Sequence, residues 1–164
     1  MRIRYLAVLV LLLPPVARVG AQSSWDRYQP RTLASIIAQH QDLVDTTRRS
    51  ALSFSVTAQT FPTRTDVVFT GQTRPIPADH LTVLRGWARM MGIDTTRVDD
   101  YEEEWEFAED ALILWMPVQA ETAASMRTSV RAGAKLTVWA QWFGTATRDG
   151  QTNWVFPVMR TMEP

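Results

Sequence analysis

Residues 101–118 decide the fold and read YEEEWEFAEDALILWMPV. In the first part, aromatic residues alternate with glutamates, which predicts a strand at 101–107 with one buried face and one solvated face. After the turn residues Glu109-Asp110, the segment 111–118 is apolar on both phases and is expected to be a central strand covered on both sides. The stretch therefore predicts two antiparallel strands inside a domain that also carries helices.

The remaining elements follow from the same two periodicities, 3.6 residues for helices and two for strands. Gly71 is expected to end the second strand, and Asp149-Gly150 is the strongest hairpin-turn signal in the chain. Besides the two strands above, the predicted elements are a helix at 31–48, strands at 52–59 and 64–70, a helix at 78–91, a short helix at 120–130, and strands at 136–143 and 154–159.

This order predicts a single α+β domain over residues 31–164, preceded by an N-terminal segment at 22–30. The six strands, mostly antiparallel neighbours, would form a strongly curved sheet or small barrel. One helix precedes the sheet and a second lies between strands two and three. The turn and strand at 132–138 (AGAKLTV) are typical of small barrels, so the architecture resembles OB and SH3-like barrels, without the motifs of a particular family.

Residues 1–21 have the features of a secretory signal peptide. Arg2 and Arg4 precede an apolar run at 5–13, and Val-Gly-Ala at 19–21 provides the small residues after which a signal peptidase cleaves. The run is less than half of the roughly 20 residues that a membrane span needs, so we expect cleavage near Ala21 rather than retention as an anchor. The mature protein is then secreted, into the bacterial periplasm or the medium, without a membrane span.

Removal of the signal peptide changes the charge of the chain. The sequence has 17 basic and 17 acidic residues, but three of the bases and none of the acids lie in 1–21, so the mature chain carries a formal charge of −3. This charge and the exported location argue against a nucleic-acid-binding protein. The sequence contains no cysteine, which excludes disulfide bonds and a lipid-modified N-terminal cysteine.

Eight acidic residues and no basic residue occur between positions 99 and 110, an acidic strip with three open interpretations. The carboxylates could gather calcium, or they could form a solvated face that protects a sheet edge. A same-face pair such as Glu104 and Glu106, about 6.5–7 Å apart on a strand, could also hydrolyse a glycosidic bond. The candidate residues are Asp99, Asp100, Glu102, Glu104 and Glu106.

Glu103 shares the parity of Trp105 and Phe107, which places it towards the core. A buried carboxylate needs a cationic or hydrogen-bonded partner. We therefore predict a structural ion pair between Glu103 and an arginine of the second strand or second helix. The candidate partners are Arg64, Arg74, Arg85 and Arg89.

Trp139 departs from the apolar pattern of its strand, because it shares a face with polar residues. An indole on a solvated face can stack on a sugar or on a peptide aromatic. Alternatively, a helix covers this face and Trp139 belongs to the core. The candidate ligand-binding residues are Trp139, Lys135 and Gln141.

The familiar catalytic motifs are missing from the sequence: there is no Gly-x-Ser-x-Gly elbow, Gly-rich phosphate loop or His-Glu-x-x-His. Its two histidines, His40 and His80, do not have metal-ligand spacing, so neither a metal nor a cofactor is predicted. His80, beside Asp79 at the start of the second helix, would need a carboxylate partner to shuttle protons. The alternative is a histidine that only packs at the helix N-terminus, and no catalytic residue is assigned.

These observations favour an exported, non-catalytic binding or interaction module of the cell envelope. Its partner would be an envelope protein, a peptide or a glycan. Two alternatives stay open: a small glycan hydrolase that uses carboxylates of the acidic strip, and a purely structural accessory domain. The sequence does not specify the ligand or the oligomeric state.

Overall fold

A computed structural model of the protein describes residues 24–44 and 52–163. The predicted signal peptide (1–21) and the last part of the first predicted helix (45–48) lie outside these ranges. Within them, no helix is both long and apolar enough to cross a membrane. The helices are α1 (Leu33–His40), α2 (Ala78–Met90) and α3 (Ala120–Ser129), with shorter 3-10 helices at Ser24–Arg27, Gln41–Leu43 and Thr95–Asp100. The strands are β1 (Gln29–Pro30), β2 (Leu52–Val56), β3 (Thr63–Pro75), β4 (Tyr101–Glu109), β5 (Leu112–Gln119), β6 (Lys135–Ala140), β7 (Gly144–Arg148), β8 (Gln151–Val155) and β9 (Val158–Met162).

Six strands form a mixed sheet in the order β1-β3-β4-β5-β9-β6, and β6 also pairs with β3. A closed ring of five strands results, because each strand pairs with the next in the order β3, β4, β5, β9, β6 and the last pairs with the first. Within the ring, β5 and β9 are parallel and the other neighbours are antiparallel. The predicted α+β class is confirmed. The predicted antiparallel sheet is matched only in part, because the observed sheet is mixed and three further strands lie outside it.

The strands β2, β7 and β8 form this second, antiparallel sheet, with β7 in the middle. Asp149 and Gly150 turn between β7 and β8 with φ values of 52° and 79°, as the hairpin signal predicts. The flanking strands differ from the prediction, because the segments 136–143 and 154–159 are interrupted at 141–143 and 156–157. These interruptions allow the β7–β8 hairpin to leave the ring and return to it.

Gly71 does not end its strand, contrary to the prediction. β3 continues to Pro75, and its register with β4 shifts between Phe69 and Thr73. Gly71 has a φ of 97°, and a Cβ at this position would lie 2.7 Å from the Cβ of Ala132. A glycine in such a bulge bends the strand. As a result, the first half of β3 pairs with β6, while its end pairs with β4 alone.

Two hydrophobic clusters hold these elements together. The larger cluster receives side chains from all five ring strands, and α1 and α3 cover it with residues such as Ile36 and Met126. The smaller cluster joins Val83 and Leu84 of α2 to Ala146 and Val155 of the second sheet. α2 therefore packs between the second sheet and the beginning of β4, and this position creates the site described next.

Candidate functional site

Glu104 of β4 has no exposed surface. Its Oε1 hydrogen-bonds to Nδ1 of His80, and its Oε2 accepts from Nε and Nη2 of Arg74 at 2.9 and 2.8 Å. Both carboxylate oxygens are therefore occupied. A carboxylate removed from water requires partners of this kind, because desolvation without them is costly.

The sequence prediction for Glu104 is wrong, because it assigned this residue to the solvated face of the strand. Arg74 lies directly opposite Glu104 in the β3–β4 pair, so the two side chains share a face of the sheet. His80 in the first turn of α2 then covers them. The alternation of residues along β4 indicates which face each side chain occupies, but it does not indicate that a helix packs over one end of that face.

Asp79 links the start of α2 to the second sheet. Its Oδ1 accepts from the backbone N–H of His80 at 3.0 Å, and its Oδ2 lies 3.7 Å from Nη2 of Arg148 on β7. The first turn of α2 is thus attached to β4 through Glu104 and to β7 through Arg148. This double attachment fixes the position of the His80 ring.

His80 lines a cavity of about 240 Å³ that we call the His80 cleft. The cleft lies between α2, β5 and β8. Arg74 also contacts it indirectly, because its guanidinium carbon lies 4.1 Å from the centre of the Trp115 ring. The cleft is lined by four aliphatic side chains, one of them from α1, and by His80, Trp115, Thr152, Asn153 and Trp154.

The chemistry of the cleft combines aliphatic and aromatic walls with a few polar groups. Because Nδ1 of His80 is bound to Glu104, Nε2 is the second hydrogen-bonding atom of a ring that is 2% exposed. Asn153 is exposed and offers both a donor and an acceptor. Arg74 holds Glu104 with two hydrogen bonds and also lies over Trp115, so it couples the buried carboxylate to the aromatic wall. Sequence reasoning singled out His80 but could not supply its carboxylate partner.

The other acids of the acidic strip do not join Glu104. Glu106 accepts from Oγ1 of Thr70 at 2.7 Å, and Asp99 forms an exposed pair with Arg85 at 3.3 Å. Asp100 and Glu102 are exposed. In residues 24–44 and 52–163, no three His, Asp or Glu side chains are grouped so as to hold a metal ion.

Glu103 forms an arginine pair, but with a different partner from those considered. Its Oε2 lies 2.7 Å from Nη2 of Arg127 on α3, and its Oε1 accepts from Nε1 of Trp105 at 2.6 Å. The side chain is 16% exposed, so it is less buried than Glu104. Glu103 keeps the parity of Trp105, to which it is hydrogen-bonded, and the partner differs because α3 packs beside this part of β4 and brings Arg127 to it.

Glu109 has a structural role that the sequence reasoning missed. Its two oxygens accept from the backbone N–H groups of Leu33 and Ala34 at 2.9 Å each, and Oε1 also accepts from Oγ1 of Thr65 at 2.6 Å. A carboxylate at this position satisfies free N–H groups of α1 and interacts favourably with the helix dipole. No local signal could reveal this contact, because Glu109 and α1 are more than 70 residues apart.

The structure places Trp139, Lys135 and Gln141 on one side of β6 and its extension, but it does not leave the indole free. Trp139 is only 6% exposed. The guanidinium of Arg160 lies over its ring at 5.1 Å and also 5.4 Å from the centre of the Trp25 ring. Gln141 is buried and donates to the hydroxyl of Tyr28, whereas Lys135 is exposed. The N-terminal segment, which contains the 3-10 helix at Ser24–Arg27, therefore lies beside Trp139 and Gln141.

Comparison of the chain with protein-family models, with curated proteins and with solved structures finds no match.

Proposed function

We propose that the protein is an exported, non-catalytic binding module of the cell envelope, and that it binds a glycan chain in the His80 cleft. The observation that carries this proposal is the cleft itself. Its aromatic wall and its imidazole are held in place by the buried Glu104–Arg74 contact before any ligand arrives. Pre-organisation of this kind lowers the entropic cost of binding.

The composition of the cleft favours a glycan over the other envelope partners. Trp115 and Trp154, of which Trp154 is 6% exposed, line the cleft with indole rings, while His80, Thr152 and Asn153 line it with hydrogen-bonding groups. A sugar presents both kinds of surface, an apolar C–H face and a rim of hydroxyl groups. The proposed mature charge of −3 does not favour a nucleic acid.

The strand pairings support the same surface. We take the ring as a small barrel of the OB type, in which β3, β4, β5, β6 and β9 are the five strands in chain order. OB barrels bind oligonucleotides and oligosaccharides on the face of strands two and three, between the loops that follow strands one and four. In this chain those loops contain His80 and the β7–β8 hairpin. Because a fold alone does not decide function, the proposal depends on the cleft.

The two alternative functions have less support. A glycan hydrolase based on the acidic strip needs carboxylates that reach the sugar, but Glu104 is enclosed by His80 and Arg74 and Glu106 is bound to Thr70. A purely structural domain does not require a pre-organised cleft with polar groups on its wall. Shortening of a bound glycan would support the hydrolase.

The test is binding of the purified protein to a soluble β-1,4-linked tetramer of N-acetylglucosamine and to insoluble cell-wall polysaccharide freed of protein and lipid. Calorimetry is expected to show that Asn153→Ala weakens binding about tenfold, equivalent to about 1.4 kcal/mol, and that Trp115→Ala weakens it at least as much. Gln151→Ala is the matched control, because Gln151 is exposed on the same strand and outside the cleft.

Two results would contradict the proposal. One is that the wild-type protein binds neither polysaccharide. The other is that Asn153→Ala and Trp115→Ala bind as tightly as Gln151→Ala while their circular dichroism spectra remain native, because the glycan would then occupy a different surface.

A further inference from the structure

A second cavity lies on the other half of α2, and we call it the Trp87 cavity. Its volume is about 240 Å³. Trp87 and His80 are seven residues apart on one helix, so the cavity lies about 10 Å along the helix axis from His80. The apolar wall of the Trp87 cavity is formed by residues such as Leu84, Ala88, Ile93 and Phe143.

The indole nitrogen of Trp87 is a donor without an acceptor. Nε1 is buried, and no acceptor in the described part of the chain lies within hydrogen-bond distance. The ring itself is firmly placed, because it stacks on Phe143 with 3.6 Å between ring centroids. A buried N–H that lacks a partner is costly, so this position requires an explanation other than packing.

Tyr101 provides a second donor on the same cavity wall, and its hydroxyl also hydrogen-bonds with the side chain of Gln119, another residue of that wall. The Tyr101 side chain is 8% exposed, and its hydroxyl donates to the sulfur of Met159 at 3.6 Å, which is a weak acceptor. Burial raises the pKa of Tyr101 well above its usual range, so the phenol keeps its proton at neutral pH and remains a donor.

The last residue of α2 and the chain that follows it expose apolar side chains beside the Trp87 cavity. Met90, Met91 and Ile93 are 43%, 45% and 37% exposed, and Ile93 is also part of the cavity wall. Flexible methionine side chains adapt to apolar ligands of varied shape. Arg97 and Asp100 also line the cavity, and they place one charge of each sign there.

We infer that the Trp87 cavity is a binding site for a small amphipathic molecule whose carbonyl or carboxylate oxygen accepts hydrogen bonds from Trp87 and Tyr101. The apolar chain of this ligand lies against the cavity wall and extends towards Met90 and Met91. The two donors select an acceptor head group, and the apolar wall selects the chain. This site is separate from the His80 cleft and does not depend on the proposed glycan function.

The test uses the protein with ¹⁵N-labelled tryptophan, in which the Trp87 indole signal is assigned by its loss in Trp87→Phe. Octanoate carries two acceptor oxygens, whereas octylammonium has a chain of the same length and no acceptor. Octanoate is expected to shift the Trp87 indole signal at submillimolar concentration, and octylammonium is expected to leave it in place. Trp87→Phe, which keeps an aromatic ring beside Phe143, is expected to weaken octanoate binding at least tenfold in calorimetry.

Trp25→Phe is the matched control, since it removes an indole that does not line the cavity, and its octanoate affinity is expected to equal that of the wild type. If Trp87→Phe does not fold, Ile93→Glu provides a second test. Position 93 is partly exposed, and a carboxylate there is expected to weaken octanoate binding at least fivefold. The inference is overturned if the Trp87 signal does not respond to octanoate, or if both amphiphiles shift it equally.

Discussion

The stability of β4 depends on one guanidinium, because Glu104 is fully buried while the Arg74 side chain is 37% exposed. Removal of one partner from a buried pair leaves an uncompensated charge in the interior and typically costs about 3–5 kcal/mol. Since Arg74 is partly solvated, we expect Arg74→Leu to lower the free energy of unfolding by about 2–4 kcal/mol. In the Glu104→Gln variant residue 104 carries no charge, so adding Arg74→Leu is expected to lower the free energy of unfolding by less than it does in the wild type. The coupling energy between the two substitutions is expected to be about 1–3 kcal/mol.

Urea denaturation of the two single variants and the double variant measures this coupling. Arg85→Ala serves as the control, because it breaks an ion pair whose two side chains are 49% and 66% exposed, and surface pairs contribute about 0–1 kcal/mol. Additive losses in the double variant would show that Arg74 stabilises the fold independently of Glu104.

At the scale of whole elements, periodicity predicted part of the helices and strands and failed where distant segments meet. The helix at 78–91 and the strand after it match α2 and β4 closely, because each has a clear apolar stripe and a local stop signal. Gly71 lies so close to Ala132 that a side chain would not fit between them, and the burial of Glu104 depends on α2. Neither contact leaves a local pattern in the sequence.

The candidate site shows the same division between local and long-range information. His80 stood out because the sequence has only two histidines, and Glu104 stood out within the acidic strip. Their pairing could not be predicted, since the 23 residues between them contain most of α2 and a 3-10 helix. Trp139 was singled out on its strand face, but the Arg160 side chain above it comes from a strand that only the closed ring brings alongside.

α1 is an element whose stability we expect to depend on Glu109. The helix has eight residues, a length at which an isolated helix is not stable in water. Glu109→Gln keeps the size of the side chain but replaces one acceptor oxygen by an N–H₂ group that faces backbone donors. Because hydrogen bonds to a charged group contribute about 1.5–3 kcal/mol, we expect a loss of about 2 kcal/mol in the free energy of unfolding.

Hydrogen exchange locates this effect, since the amides of Leu33 and Ala34 should lose protection first. Thr32→Ala is the comparison, because Thr32 caps the same helix locally by accepting from the N–H of Ser35 at 3.1 Å. Loss of this cap is expected to lower the free energy of unfolding by about 1 kcal/mol. A smaller effect in Glu109→Gln than in Thr32→Ala would contradict the role assigned to Glu109.

At the scale of the whole molecule, α2 connects the two sheets and separates two cavities. Its first turn is attached to the ring through Glu104 and to the second sheet through Arg148, and the His80 cleft lies there. Its second half packs on Phe143, which belongs to the break between β6 and β7, and the Trp87 cavity lies there. The interruption at 141–143 thus supplies Phe143 to the Trp87 cavity, and the β7–β8 hairpin that follows it supplies residues of β8 to the His80 cleft.

Export is the property of the whole chain on which the proposed envelope function depends, and it can be tested directly. Signal peptidase requires small side chains at the residues corresponding to Val19 and Ala21. We expect the full chain, expressed in a bacterial host, to accumulate in the periplasm with Gln22 as its first residue, as measured by intact mass and N-terminal sequencing. Ala21→Trp should leave the uncleaved precursor of 18.6 kDa with the membrane fraction, whereas Arg18→Lys should be processed normally. An uncleaved wild-type chain in the cytoplasm would remove the basis for an envelope ligand while leaving the His80 cleft to be explained by a different partner.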